Sequence, residues 1–333
     1  MRSMEKEPNR FQSLAGLFYL LCVLLGVWTL IVNPNGPQTA VKKYSADTKN
    51  QSKIARQLFG LDLNKDAIGV VRLDGVISME KRGGLFFGDS MVERINRNLE
   101  KMAKKNAVKA IILKINSPGG TVASCQEIVA QIRDLRQTYK KPIIAMLGDV
   151  AASGGYYIAS ACDLVVASSG TITGSIGVIF QAGQFEGLLR RLGISFATVK
   201  SGKFKDIGNP TRAMTLEERQ LLQELINSAY NQFLQDVALG RHVTPEEVRP
   251  IADGRIFIGE EALRLHLIDS TGGFKEAQSL ATKLGNIKGE PRLIWDGDLK
   301  EDFLSEFMPA KSTISILPKE MLPSGLLYIW TGY

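Results

Sequence analysis

The sequence predicts an α/β protein built on a mainly parallel sheet. Three observations support this class: short runs of Val, Ile and Leu typical of buried strands, helical stretches between them, and glycine-bearing breaks at strand ends. Near-continuous apolar strands that alternate with helices are typical of a parallel sheet covered on both faces. The 333 residues are enough for one large domain or two small ones.

The predicted strands begin at residue 67. In chain order they are 67–77, 108–115, 142–147, 163–167, 175–180 and 194–199. Each is a short apolar run, bounded by turn residues or by a helical stretch, which is the length and pattern of a buried strand.

The predicted helices carry start signals. In chain order they are 90–105, 121–138, a short helix from Gly154 or Gly155, 216–239 and one that begins at Pro245. Asp89 and Ser90 form a cap before the first, and Thr215 with Glu218 forms a capping box before the long one. Pro245 suits the first position of a helix because its missing N–H would have no partner there.

An uncharged apolar run at 14–32 predicts a transmembrane helix, since its length just spans a hydrocarbon core of about 30 Å. A cleaved signal peptide is the alternative, but the run is longer than a signal peptide's apolar region and no A-x-A-like site follows it. Basic residues lie closer to its N-terminal end, a bias that places the bulk of the chain outside the cytoplasm. The predicted division is a short segment 1–13, an anchor 14–32, a stalk 33–66, an α/β domain 67–290 and a tail 291–333.

Composition excludes several function classes. The net charge of +7 (41 basic minus 34 acidic residues) has no block of like charges beyond the N-terminal segment, which argues against nucleic-acid binding. His242 and His266 stand alone, so a histidine zinc site is not expected, and neither has the setting of a triad histidine. Cys125 and Cys162 leave two alternatives open, one disulfide or two buried thiols.

Three glycine-bearing breaks follow predicted strands, at 116–120, 151–155 and 173–177. In the middle break, Ser153 lies at the N-terminus of a short helix, where unpaired backbone N–H groups and the positive end of the helix dipole meet. A hydroxyl nucleophile needs both, because negative charge develops beside it during acyl transfer. Two interpretations remain open from spacing alone: a nucleophile or a simple N-cap.

A base for such a serine could be a lysine. Lys200, Lys203 and Lys205 follow the predicted strand 194–199. A lysine accepts a proton only where burial lowers its pKa toward neutrality. The alternative is that these three lysines belong to a solvated loop.

Four motifs together resemble the SppA-type signal peptide peptidases. They are N-S-P-G-G at 116–120, D-V-A-A-S-G-G-Y-Y at 149–157, T-G-S-I-G-V at 173–178 and K-S-G-x-x-K-D at 200–206. These peptidases are Ser/Lys-dyad serine proteases of the ClpP/crotonase superfamily, and the resemblance runs from about residue 67 to 285. It implies a repeated β-β-α spiral core with helices, and a short, single-domain form preceded by one transmembrane helix.

The resemblance also implies roles for individual residues. Ser153 matches the nucleophile, Lys205 matches the general base and Ser175 matches the serine that orients that lysine. The backbone N–H groups of Gly120 and Gly154 match the oxyanion hole. No metal or other cofactor is implied.

The resemblance further implies partners and a location. In the family the dyad is completed across a subunit boundary, so we expect a homo-oligomeric ring, with remnant signal peptides as substrates and the catalytic domain on the extracytoplasmic side of the cell (inner) membrane. One rival is a crotonase-type acyl-CoA enzyme, against which the run at 14–32 argues. Another is a catalytically inactive membrane scaffold, against which the joint presence of Ser153, Lys205 and Ser175 argues.

Overall fold

A computed structural model describes residues 65–81 and 88–297 and the strand at 327–329. The chain divides into two compact units, Met1–Asn64 and Lys65–Tyr333, and every described residue belongs to the second. The predicted transmembrane run at 14–32 lies outside the described residues. Within them, no helix combines the length and the apolar character needed to cross a membrane.

Strands and helices alternate through most of the described chain. The strands are β1 (Ala67–Asp74), β2 (Val108–Ser117), β3 (Gly119–Thr121), β4 (Ile143–Ala152), β5 (Leu164–Ala167), β6 (Ile172–Gly174), β7 (Ile256–Ile258), β8 (Ser270–Thr271), β9 (Arg292–Trp295) and β10 (Leu327–Ile329). The helices are α1 (Met91–Lys104), α2 (Val122–Tyr139), α3 (Gly154–Ser160), α4 (Glu186–Arg191), α5 (Leu216–Arg241), α6 (Pro245–Val248), α7 (Gly259–Arg264) and α8 (Phe274–Leu284), with a 3-10 turn at Arg249–Ile251.

Eight of the described strands form one mixed, mostly parallel sheet. Its main path runs β7-β6-β4-β2-β1-β9, with β5 added beside β4 and β8 beside β5. All these pairs are parallel except β6 with β7. The predicted α/β class is therefore confirmed.

Two different strands pair with successive stretches of the central strand β4. The stretch from Ile144 to Leu147 pairs with β5, and the stretch from Val150 to Ala152 pairs with β6. Because β6 meets only the carboxyl end of β4, it brings a later part of the chain to the residue that follows β4.

Side chains of the sheet alternate between two apolar clusters, because successive residues of a strand point to opposite faces. On one face, Leu113 and its neighbours pack with the helices α1, α2, α3 and α5. On the other face, Ile112 and Ile144 pack with Ala277 of α8. The predicted helix starts are also confirmed, since Ser90, Thr215 and Thr244 each head a complete capping box.

Two strand predictions are wrong. Residues 175–180 form no strand, because β6 ends at Gly174, just before them. Gly174 (φ +80°) and Ser175 (φ 51°) are both left-handed, and two such residues in succession cannot continue an extended strand. Residues 194–199 form no strand either, and the apolar side chains of Phe196 and Val199 are exposed. That segment has no partner strand among the described residues, and apolar alternation without a partner does not make a sheet.

The thiol question is settled in favour of free cysteines. Cys125 and Cys162 are both buried and unbonded, so the disulfide alternative is wrong. Burial raises the pKa of Cys162 to about 12 and that of Cys125 further still, so both behave as small apolar side chains.

Candidate active site

Ser153 occupies a strained turn between β4 and α3. Its φ of 53° and ψ of −115° lie outside the regions that L-residues usually adopt, a conformation that costs on the order of 1–3 kcal/mol. Its backbone is held on both sides: its N–H donates to Gly174 O at 2.8 Å, and its carbonyl accepts from Tyr157 N at 2.8 Å. Ser153 occupies the N-cap position of α3, but its side chain makes no cap hydrogen bond, so the hydroxyl is not used to cap the helix.

The helix that starts at Ser153 is packed tightly against the end of β2. A Cβ on Gly155 would lie 2.9 Å from Ser117 O, so this close approach requires glycine. The first N–H groups of a helix have no partner within it, and Gly154 is the first residue of α3. Ser153, 1% exposed, therefore sits beside backbone donors in a site shielded from water.

The first Gly-bearing break, at 116–120, contains β3, which lies against α3. Ile77 N–H donates to Gly119 O at 2.9 Å, and Ile77 O accepts from Thr121 N at 3.0 Å. Because alternate peptide groups of a strand point to opposite edges, the N–H of Gly120 points away from Ile77. A Cβ on Gly120 would lie 1.9 Å from Ile77 O, so only glycine fits there.

Ser117 stabilises the start of β3 by a hydrogen bond that its side chain accepts. It is fully buried, and its Oγ accepts a hydrogen bond from Gly119 N at 3.1 Å. That bond closes the turn through Pro118 and helps Gly119 to hold its φ of +110°. Sequence reasoning noted the break but not this role; the signal was a serine placed before Pro-Gly at a strand end.

The edge of β3 that faces away from Ile77 is occupied by another extended segment of the chain. β10 pairs with β3 in antiparallel register, with Tyr328 opposite Gly120 and Ile329 opposite Gly119. β10 also contacts α3, the helix headed by Ser153. An extended segment of this same chain therefore lies along the edge of β3, beside α3.

Ser175 lies next to the residue that anchors Ser153. It is 7% exposed, and its N–H donates to Arg255 O at 2.8 Å. Thr173 Oγ1 donates to Ala151 O at 2.7 Å, which locks β6 to the end of β4. The structure thus brings Ser153, Ser175, Gly120 and Gly154 to one edge of the sheet.

No hydrogen bond or ion pair joins Lys205 to that edge within the described chain. It lies exposed in a series of turns at 203–208, and its ammonium has no hydrogen-bond or ion-pair partner among the described residues. Lys200 instead pairs with Asp206 and with Lys203 O, and Lys203 pairs with Glu217. Of the three lysines, Lys205 alone is left without a side-chain partner in this part of the structure.

The histidines lie elsewhere. His242 is the C-cap of α5, and His266 follows α7, each in a left-handed conformation. In the described ranges, no three His, Cys, Asp or Glu side chains gather as they would in a metal site.

Comparison with known proteins agrees with this geometry. Residues 135–288, which include Ser153, Ser175 and Lys205, match peptidase family S49. A putative protease of Synechocystis is 43% identical over 187 residues, which are 56% of this chain and 67% of that protein. A putative protease of Methanocaldococcus jannaschii is 32% identical over 271 residues, 81% of each chain.

A third relative carries a more specific name. A putative signal peptide peptidase SppA of Enterococcus faecium is 36% identical over 222 residues, which are 66% of this chain and 62% of that protein. The family match covers the part of the chain that holds the strained Ser153. The chain belongs to peptidase family S49 and is a serine protease.

Proposed function

We propose that the protein is a membrane-anchored serine endopeptidase that cuts remnant signal peptides, with Ser153 as nucleophile and Lys205 as general base. The observation that carries the proposal is the state of Ser153: buried, strained, without a cap hydrogen bond, and beside glycine backbone donors. The substrate class and the extracytoplasmic location follow from the resemblance to SppA-type peptidases and from the name of the Enterococcus relative. The division into anchor, stalk, catalytic domain and tail, and the ClpP/crotonase-like spiral core, belong to the same proposal.

The proposed reaction has two halves. Ser153 Oγ attacks the scissile carbonyl carbon while its proton passes to the neutral Lys205 amine, and the tetrahedral oxyanion receives hydrogen bonds from Gly120 and Gly154 N–H. The C–N bond then breaks, the leaving amine takes the proton from Lys205, and an acyl-enzyme remains. Water, deprotonated by the same amine, releases the acyl group. Ser175 orients the lysine by a hydrogen bond.

Completing this site requires a second copy of the chain. Lys205 follows an exposed arm, defined here as residues 181–200, in which no residue is buried. The arm's large apolar side chains are exposed: Phe185, Leu188, Leu192, Ile194, Phe196 and Val199. Apolar side chains gathered on one arm are typical of a protein–protein interface. We propose that this arm packs on a neighbouring protomer of a ring and delivers Lys205 to that protomer's Ser153.

The β10 strand supports a peptide as substrate. A backbone that pairs with β3 opposite Gly120 has its carbonyls near the proposed oxyanion donors. Addition of an extended peptide to a free strand edge is a general mode of peptide recognition, in which backbone hydrogen bonds supply affinity.

Peptide hydrolysis by the full-length protein in detergent tests the proposal. Ser153→Ala and Lys205→Ala should each lose at least about a hundredfold in kcat. A mixture of the two inactive variants should regain part of the activity, because mixed rings contain some intact sites. Wild-type turnover by either single variant would refute the dyad. No recovery in the mixture, with subunit exchange verified, would refute the shared site.

A further inference from the structure

One arginine fastens the loop that carries Lys205 to the rest of the domain. Arg212 Nε donates to Asp206 Oδ2 at 2.8 Å, and its Nη2 donates to the backbone oxygen of Asp206 at 3.1 Å. The same guanidinium donates from Nη1 to Glu218 Oε2 at 2.9 Å and from Nη2 to Glu218 Oε1. Arg212 therefore joins the residue directly after Lys205 to the first turn of α5.

Both carboxylates of this cluster are shielded from water. The side chain of Asp206 is 11% exposed, and that of Glu218 is 3% exposed. Hydrogen bonds from Arg212 hold the pKa of Asp206 well below its usual range and lower that of Glu218 to about 2, while the two carboxylates raise the pKa of Arg212. All three groups therefore stay charged at any pH at which a lysine base is active.

Glu218 is itself fixed by α5. Its Oε2 accepts from Thr215 N at 2.9 Å, and its own N–H donates to Thr215 Oγ1 at 3.2 Å. The capping box thus has a second use, because the same carboxylate that caps the helix also holds Arg212. The anchor of the loop is the start of a helix whose other end packs on α3: a Cβ on Gly240 would lie 1.9 Å from Ser160 O.

Apolar packing holds little of this loop, since Ile207 is only half-buried and no residue of 203–208 is fully buried. The arm that precedes it buries no side chain among the described residues, and Phe204, next to Lys205, is exposed. The position of Lys205 relative to the folded domain is therefore set by the polar contacts of its neighbour.

We propose that Arg212 is a positioning residue for the base, holding Lys205 in place through Asp206 and Glu218. This inference rests on the proposed function. A general base must lie within hydrogen-bond reach of the hydroxyl, and a misplacement of about 1 Å can cost about a hundredfold in rate. The planar guanidinium contacts two carboxylates and a carbonyl at once, which the point charge of a lysine cannot do.

Two variants of the full-length protein test the inference. Arg212→Lys keeps the positive charge but removes the planar guanidinium that contacts Asp206 and Glu218 at once. Glu218→Gln keeps the capping box, since glutamine also serves at that position, but removes the charged acceptor. For both, we expect kcat to fall about 10- to 100-fold with KM for a peptide unchanged within about twofold. The loss of kcat should persist when rates are expressed per folded, assembled protein.

Controls separate this role from a structural one. Arg97→Lys alters an exposed ion pair between Arg97 of α1 and Asp89, which precedes that helix, and should leave kcat and KM at wild-type values. Assembly size and melting temperature are measured for every variant. A wild-type kcat for Arg212→Lys would overturn the inference. A loss of kcat that vanishes once rates are expressed per folded, assembled protein would overturn it as well, because it would mean that Arg212 only stabilises the fold.

Lys205→Ala, assayed in parallel, keeps the two hypotheses distinct. If Lys205→Ala is inactive while Arg212→Lys and Glu218→Gln behave as wild type, only the positioning role of Arg212 is refuted. If Lys205→Ala retains full activity, the proposed base is refuted, and the positioning role of Arg212 with it.

Discussion

The backbone N–H of Ser153 donates a 2.8 Å hydrogen bond to the carbonyl oxygen of Gly174. This bond joins the residue after β4 to the last residue of β6, and Ser175 follows immediately. Because β6 pairs with the carboxyl end of β4, Ser153, the proposed nucleophile, and Ser175, proposed to orient the lysine, reach the same edge of the sheet. Two motifs separated along the chain thereby become one site.

Enlarging Gly120 should abolish catalysis. In Gly120→Ala the new Cβ would lie 1.9 Å from Ile77 O, so β3 must shift and its N–H must turn from the oxyanion. Loss of one oxyanion donor costs about 10²- to 10³-fold in kcat, and overpacking costs about 1–3 kcal/mol of stability. Steady-state kinetics and urea unfolding measure both.

Gly170→Ala is the matched control, since a Cβ there meets nothing within 4 Å. It should leave kcat unchanged. A wild-type kcat for Gly120→Ala would show that β3 has no part in stabilising the oxyanion.

A charge on the arm should block assembly. Phe196 is 63% exposed, and Phe196→Asp would place a carboxylate in the proposed contact between protomers. We expect smaller particles in light scattering and at least a tenfold loss of peptidase activity per chain. Leu239→Asp changes an equally exposed apolar residue outside the arm, on α5, and should alter neither measurement. Full assembly of the Phe196 variant would contradict the role of the arm.

The C-terminal strand should compete with substrate. β10 occupies the edge of β3 with Tyr328 opposite Gly120. Tyr328→Pro removes a backbone donor and disfavours strand pairing, so the groove should open more often. We expect KM for a peptide to fall severalfold with kcat unchanged. An unchanged KM, both in this variant and after removal of residues 327–333, would contradict the competition.

Acid should destabilise the protein between about pH 4.5 and pH 2. Hydrogen bonds from Arg212 lower the pKa of Glu218 from 4.5 to about 2, and hydrogen bonds from Arg255 lower that of Asp253 to about 2. For a carboxyl group with a depressed pKa, the stabilisation is complete above the pKa of the unfolded chain and is lost as the pH falls through the folded value. Urea unfolding at a series of pH values should show the free energy of unfolding falling in this window.

Glu218→Gln is the matched variant, because it keeps the helix cap and removes one of the carboxyl groups whose pKa is lowered. Its stability should depend less steeply on pH than that of the wild type. An identical slope would mean that Glu218 contributes nothing to the acid sensitivity.

Local signals predicted much of the fold. The alternation of buried strands and helices, the caps at Ser90, Thr215 and Thr244, and the short helix after Ser153 all depend on residues close together in the chain. The errors fell where the backbone depends on distant partners. Residues 194–199 have a strand-like pattern but find no partner strand among the described residues. β6 ends early because Gly174 and Ser175 both adopt a positive φ, and the Ser175 N–H donates to Arg255 O.

By itself, the sequence determined the α/β class, the glycine-bearing strand ends and the candidate residues Ser153, Ser175, Lys205, Gly120 and Gly154. Only the tertiary structure decided that the Ser153 hydroxyl caps no helix, that Gly120 has no room for a side chain, and that Lys205 makes no hydrogen bond to the serine within the described chain. The reason is physical: caps and strand patterns are set by neighbours in sequence, whereas a positive φ, a 1.9 Å clash and a guanidinium bridge depend on groups that only folding brings together.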